Sequence, residues 1–181
     1  KQLEATVAKS YPCTMKTTLP AARRYTRTTT TQNEVWIAPY DAKNIYMTQY
    51  LNENKQWTPE QAPVNELFGE YFGGGMNAIV FQELREARGL AYSAGAWLTT
   101  PDRKGDPECF NTYIITQNDK MPECIKEFNN LLNNMPERQA GFDLAKQSLT
   151  KTLATARTTK FAVLNAYLAA RKRGLDYDIN K

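Results

Sequence analysis

Residues 66–97, ELFGEYFGGGMNAIVFQELREARGLAYSAGAW, decide the fold of this chain because the spacing of their apolar side chains changes twice. The stretch begins inside a predicted helix whose apolar residues recur at helical spacing: Val64, Leu67, Phe68, Tyr71 and Phe72. Gly73, Gly74 and Gly75 then predict a helix break with positive φ. A second predicted helix ends near Gly89 and has one apolar face: Met76, Ile79, Val80 and Leu84. Residues 90–98 alternate between apolar and small or polar side chains, which indicates a strand.

On the N-terminal side of this stretch, residues 35–38 and 45–51 have the composition of strands joined by a turn near residues 41–44. Residues 1–33 contain prolines and a threonine run, so we expect a connector that could include a short helix at residues 1–9. Arg23, Arg24 and Arg27 are then solvated charges of the connector. Residues 34–181 are predicted to form the domain itself.

On the C-terminal side, residues 110–114 alternate after a polar loop, which predicts a hairpin with residues 90–98. Asn118 or Asp119 is expected to cap the next helix, with Pro122 in its first turn. That helix has one apolar face: Met121, Cys124, Ile125, Phe128, Leu131 and Leu132. Apolar spacing marks two further helices, one by Phe142, Ala145, Leu149 and Leu153, and the other by Phe161, Leu164 and Leu168. The basic run of residues 171–173 before Gly174 closes the last helix and favours its dipole.

The order of predicted elements is β-β-α-α-β-β-α-α-α, with strands in adjacent pairs rather than alternating singly with helices. This order predicts an α+β, two-layer domain with a mainly antiparallel sheet and helices packed on one face. Four strands and five amphipathic helices should supply one core, so we expect the domain to fold on its own.

Composition excludes several kinds of chemistry. The 181 residues contain no histidine, which rules out Ser-His-Asp and Cys-His nucleophiles and H-x-x-E-H zinc sites built from this chain alone. Cys13, Cys109 and Cys124 form no C-x-x-C pair; one disulfide could form among them, and small buried hydrophobes are the favoured interpretation. A net charge of +4 is weak evidence for nucleic acid, and we expect no such partner.

From the sequence we expect neither a membrane span nor a signal peptide in this chain. No apolar run approaches the roughly 18 residues that a membrane span needs, and no leader is apparent. The chain starts at Lys1 rather than Met, which suggests processing or excision from something longer. An exported, periplasmic or organellar location is compatible with these features, and the compartment is not determined.

Residues 73–93 resemble the second, non-zinc half of pitrilysin/insulinase-type zinc peptidases, the group that includes the mitochondrial processing peptidase. In that family a helix runs into a Gly-Gly segment, and a second helix ends in L-R-E-x-R-G-L-A-Y-S before a strand. Here the corresponding residues are the glycines at 73–75 and the run LREARGLAYS at residues 84–93. The resemblance extends over roughly residues 34–175.

The resemblance implies a division of labour between two similar halves that face each other around a closed chamber. The first half carries H-x-x-E-H and a downstream Glu, which hold zinc. It belongs either to the same parent chain or to a separate subunit. In this sequence the corresponding helix reads EQAPVNELFGEYF at residues 60–72, without that motif. Glu66 and Glu70 are a poor zinc set without histidine, and we expect both to face solvent. The chain alone is therefore expected to bind no zinc and to hydrolyse no peptide.

The family uses an arginine and a tyrosine seven positions apart from this half, and they correspond to Arg85 and Tyr92. An arginine offers a rigid fork of donors to a peptide carbonyl or carboxylate, and a tyrosine hydroxyl can donate to the same carbonyl as charge develops. Gly89 would allow the tight turn that brings the two together. Arg88 competes for the arginine role, and the family spacing favours Arg85.

Two functions follow from the resemblance. The first is the substrate-binding half of a zinc endopeptidase, whose partners are the H-x-x-E-H half and a peptide. The alternative is a structural or assembly subunit of the same fold, similar to the core proteins of respiratory complexes. The presence of both Arg85 and Tyr92 favours the first.

Overall fold

The computed structural model of the protein describes residues 1–11 and 25–176. Predictions for Cys13, Arg23 and Arg24 lie outside these residues. The first helix, α1, spans Gln2–Ser10 and buries none of its side chains. The division into a connector and a domain at residue 33 stays a prediction.

Three strands form one antiparallel sheet in the described part of the chain. They are β1 (Asn44–Leu51), β2 (Ser93–Thr99) and β3 (Cys109–Gln117), in the spatial order β1-β3-β2. The strand register places Met47 of β1 and Ala94 of β2 opposite Ile114, which lies on the central strand β3. The predicted hairpin of β2 and β3 and the predicted α+β class are confirmed.

Helical segments cover the sheet and supply the core. Helix α2 (Ala62–Phe68) runs directly into a π-helical segment at Gly69–Gly73, and α3 (Ile79–Phe81) runs into a second one at Gln82–Ala87. Helix α4 spans Met121–Asn133, α5 spans Gln139–Thr155 and α6 spans Lys160–Arg173. The core cluster is built mainly by β2, β3, α4 and the segment around α3: Phe72, Ile79, Val80, Leu84, Leu90, Ala91, Ala94, Ala96, Ile114, Met121, Cys124, Phe128 and Leu131.

Cysteine burial agrees with the sequence analysis where the structure describes it. Cys109 and Cys124 are both buried and free. Cys124 lies on the inner face of α4, as the helical spacing predicted.

The strand predicted at residues 35–38 is wrong. This segment has no regular secondary structure, and Val35, Trp36 and Ile37 are each more than 80% exposed. A strand requires a neighbouring strand to bond with, and within residues 25–176 none pairs with this segment.

Two local details of the helices also differ from prediction. Met76 precedes α3 and is exposed instead of lying on its apolar face, because the helix begins only at Ile79. The N-cap of α4 is Lys120, since Lys120 N–H bonds the carbonyl of Gln117 and closes a turn that precedes the helix. Pro122 does lie in the first turn.

The two C-terminal helices contribute less to the core than their patterns predicted. Ala145 is the one buried residue of α5, and α6 buries none, leaving Phe161, Leu164 and Leu168 exposed. The predicted end of α6 is confirmed, because Gly174 follows Arg173 with a φ of 79°. Helix α6 is attached to the body near this end, where Arg173 Nε donates to the carbonyl of Pro101 at 2.8 Å.

Candidate functional site

The turn between α3 and β2 is fixed on both sides by buried leucines. Leu84 is fully buried and Leu90 is 7% exposed, and both belong to the core cluster. The hydroxyl of Thr116 on β3 donates to the carbonyl of Leu90. These contacts hold the turn against the sheet and leave Arg85 on its solvent side.

Gly89 makes the reversal from helix to strand. Its φ of 59° is in the left-handed region that glycine adopts at low cost. The Gly89 N–H bonds the carbonyl of Arg85 at 3.0 Å, and the Leu90 N–H bonds the carbonyl of Leu84 at 2.8 Å. The predicted role of Gly89 as the residue after the helix end is therefore confirmed.

Arg85 and Tyr92 lie in contact across this turn. The guanidinium carbon of Arg85 is 5.7 Å from the centroid of the Tyr92 ring. The Tyr92 N–H bonds the carbonyl of Ile115, which fixes its backbone beside β3, while its side chain is 72% exposed. A guanidinium and a phenol hydroxyl are thus presented together to solvent.

Arg88 is occupied by other groups. Its Nη2 atom lies 3.4 Å from a carboxylate oxygen of Glu127 on α4 and 3.9 Å from one of Glu83. Arg138 also forms an ion pair with Glu83, which links the start of α5 to the second π-helical segment. These contacts tie Arg88 to α4 and to Glu83. The carboxylate that pairs with Arg85 is instead that of its exposed neighbour in sequence, Glu86, 3.6 Å from the Arg85 Nε.

The glycine triplet works by close approach and not by unusual dihedral angles. The predicted positive φ is wrong, because the glycines with positive φ in residues 25–176 are Gly89, Gly105 and Gly174. A methyl group at Gly73 would come within 2.3 Å of the backbone nitrogen and oxygen of Ala96. Gly73 therefore lets the first π-helical segment touch the backbone of β2.

The donor set does not fit a zinc ion. Glu66 is exposed as predicted, but Glu70 is half-buried and accepts a hydrogen bond from Ser148 Oγ at 2.8 Å, so the prediction that it faces solvent is wrong. Across the described ranges there is no group of three or more metal-ligating side chains that could hold a metal ion. Two carboxylates without histidine lack the nitrogen and sulfur ligands that zinc prefers.

A groove of about 1120 Å³ runs along α5 beside Glu70 and Asn77, but neither Arg85 nor Tyr92 lines it.

No helix in the parts of the chain described by the structure is long and apolar enough to span a membrane.

One residue of the site was missed by the sequence analysis. The guanidinium carbon of Arg85 lies 4.8 Å from the centroid of the Phe81 ring. Phe81 precedes Arg85 by four positions, a helical spacing that brings side chains together and could have revealed the contact.

The class of this α+β domain is given by comparison with known proteins. The chain matches the family described as the peptidase M16 inactive domain over residues 4–149. It therefore belongs to that family, and the resemblance found at residues 73–93 is confirmed.

Two curated relatives and one solved structure extend this comparison. The chain is 36% identical over 91 residues to an "uncharacterized zinc protease" of Rickettsia felis, covering 50% of this chain and 20% of that protein. It is 29% identical over 111 residues to a protein of the same description from Rickettsia bellii, covering 60% of this chain and 25% of that protein. A crystal structure titled peptidase M16 inactive domain, from Pseudomonas fluorescens, shares the fold with a TM-score of 0.53 and 19% identity. That match covers 75% of this chain and 31% of the Pseudomonas chain.

The chain thus spans about a fifth to a quarter of the length of these two relatives.

Proposed function

We propose that this chain is the substrate-binding, non-metal half of a two-domain zinc-dependent endopeptidase. Membership of the M16 inactive domain family supports a catalytic partner half, and both curated relatives are named zinc proteases. The partner half, on the same parent chain or a separate subunit, would carry H-x-x-E-H, hold the zinc and hydrolyse a peptide enclosed between the two halves.

The observation that carries the proposal is the pair of Arg85 and Tyr92. The guanidinium carbon of Arg85 lies 5.7 Å from the centroid of the Tyr92 ring, on the solvent side of the turn. Neighbouring Arg88 is paired with the carboxylates of Glu83 and Glu127. The planar guanidinium can donate two parallel hydrogen bonds to a peptide carbonyl or carboxylate. The Tyr92 hydroxyl can donate to the same carbonyl oxygen as negative charge develops on it. This chain would therefore orient the peptide and stabilise charge, and the partner half would carry out hydrolysis.

The experiment uses the parent protein, or this chain reconstituted with its H-x-x-E-H half, and an internally quenched fluorogenic peptide. Arg85→Ala and Tyr92→Phe should each lower turnover, by about 10²- to 10³-fold for loss of one donor to the developing charge. Tyr92→Phe should be at the lower end, because the ring remains. Arg85→Lys should restore little activity, because an ammonium group lacks the planar fork.

Arg88→Ala is the matched control, since it removes an arginine of the same turn that is paired with Glu83 and Glu127. It should change thermal stability more than turnover. Wild-type kinetics in both Arg85→Ala and Tyr92→Phe, with folding and zinc content unchanged, would refute the proposal and favour a structural subunit.

A further inference from the structure

The guanidinium of Arg85 is oriented mainly by aromatic rings. Its central carbon lies over the ring of Phe81, 4.8 Å from the centroid, and 5.7 Å from that of Tyr92. A carboxylate oxygen of Glu86 lies 3.6 Å from the Arg85 Nε, with both side chains about half exposed, so solvent screens that pair. Arg88 and Arg138 both pair with the carboxylate of Glu83, whose side chain is less exposed than that of Glu86.

The kind of contact matters because of where the donors of arginine lie. All five N–H groups of a guanidinium lie in its plane, and a carboxylate partner occupies some of them. A ring stacked on the face of the guanidinium attracts the cation through the ring's quadrupole and leaves the in-plane N–H groups unbonded. An aromatic contact can therefore hold an arginine in place and leave its donors free for a ligand.

We propose that Phe81 is a positioning residue that holds Arg85 in the orientation needed to bind a peptide carbonyl. Phe81 is the last residue of α3, and Arg85 lies four positions later in the second π-helical segment. Its ring is half-buried against the body of the domain, so it provides a fixed surface for a side chain that is otherwise in solvent. This inference rests on the proposed function of Arg85, and it also makes a structural claim that can be tested separately.

The kinetic test is a double-mutant cycle in the assembled two-half enzyme with the quenched peptide. Phe81→Leu should lower kcat/KM by about 2- to 5-fold, as expected for loss of one exposed cation–π contact. Phe81→Tyr keeps a ring and should restore kcat/KM to near the wild-type value. In the Arg85→Ala background, Phe81→Leu should cause no further loss, because its effect acts through Arg85. An equal loss in both backgrounds would overturn the inference and give Phe81 a general packing role.

The structural test needs neither substrate nor partner. In the ¹⁵N-labelled chain, the Nε–H signal of Arg85 is identified by its disappearance in Arg85→Lys. Phe81→Leu should shift this signal, because the ring current is lost, and should lower its order parameter, because the side chain becomes mobile. An unchanged signal in Phe81→Leu would overturn the inference.

Phe110→Leu is the matched control. Phe110 is also half-buried, but it lies on β3 opposite Leu98, at the other end of the sheet from the turn. It should leave both kcat/KM and the Arg85 Nε–H signal unchanged. If Arg85→Ala itself keeps wild-type turnover, the proposed function fails, whereas the signal of Arg85 still decides whether Phe81 orients it.

Discussion

Replacing Gly73 with alanine should destabilise the domain strongly, because this position touches the backbone of a paired strand. The added methyl group would lie 2.3 Å from the nitrogen and oxygen of Ala96, about 1 Å short of an ordinary nonbonded contact. Ala96 is paired with Thr112 on the central strand, so its backbone cannot move without disturbing the sheet. The first π-helical segment must therefore shift away from β2.

The expected cost is at the upper end of the range for overpacking, about 3 kcal/mol. For a chain of this size, a loss of 1 kcal/mol lowers Tm by roughly 2–4 °C, so Gly73→Ala should lower Tm by about 6–12 °C. Gly75→Ala is the matched control, because a methyl group there meets no atom within 4 Å. It should be neutral or stabilising by up to about 1 kcal/mol, since alanine reduces the entropy of the unfolded chain.

Urea unfolding followed by far-UV circular dichroism, with thermal melts in parallel, measures both variants against the wild type. Unchanged m-values would show that the differences reflect stability rather than the compactness of either state. If the free energies of unfolding of Gly73→Ala and Gly75→Ala agree within about 0.5 kcal/mol, the argument from close approach is refuted.

Two further predictions concern buried groups. Burial raises the pKa of the Cys124 thiol from 9.0 to about 11, so between these values the thiol ionises in the unfolded chain and stays protonated in the folded one. The free energy of unfolding should therefore fall as pH rises through this window. Measured by urea unfolding at pH ~8 and ~10, this fall should be smaller in Cys124→Ala than in the wild type. A fall of equal size in the two proteins would exclude Cys124 as a contributor. The carboxylate of Glu108 is buried and lies 2.8 Å from Lys55 Nζ. Lys55→Met should cost about 1–3 kcal/mol by removing this charged partner. A loss of stability no larger than that caused by Lys126→Met, at an exposed lysine, would contradict this prediction.

Local patterns predicted the parts of the fold whose partners lie close along the chain. Strands β2 and β3 are joined by a single loop, so alternation on both sides of that loop was enough to predict their pairing. The left-handed conformation of Gly89 followed from its place after a periodic apolar run. Each of these patterns involves only residues that are close along the chain, and in the structure the predicted feature is formed by those same residues.

The wrong predictions concern segments whose sequence indicates a strand or an apolar helix face but does not indicate which other element would pair with it or cover it. The apolar residues 35–37 have the composition of a strand, yet a strand forms only where another strand can bond to it. Phe161, Leu164 and Leu168 mark an apolar face on α6, but spacing does not say which element would cover that face. The glycine triplet is a similar case, because the close approach of Gly73 to Ala96 depends on tertiary packing.

The choice between Arg85 and Arg88 shows what the structure adds to the candidate site. Both are arginines near one helix end, and in the sequence analysis only the spacing in a resembling family separated them. The carboxylate of Glu127 that pairs with Arg88 comes from α4, a contact that no local pattern reveals. The contact with Glu127 makes Arg88 part of the packing between helices, whereas the carboxylate beside Arg85 is that of an exposed neighbour in sequence, Glu86. This difference favours Arg85 as the arginine available to a ligand.

The exposure of Arg85 and Tyr92 is determined by their buried neighbours. Leu84 and Leu90 are buried on either side of Gly89, so the intervening residues 85–89 are held at the surface with little freedom of the backbone. Phe81 then restricts the one flexible part that remains, the long side chain of Arg85. A donor held in place before a ligand arrives loses less entropy on binding. On this argument the core residues of the turn contribute to the site's function without touching a substrate, because they orient the groups that would.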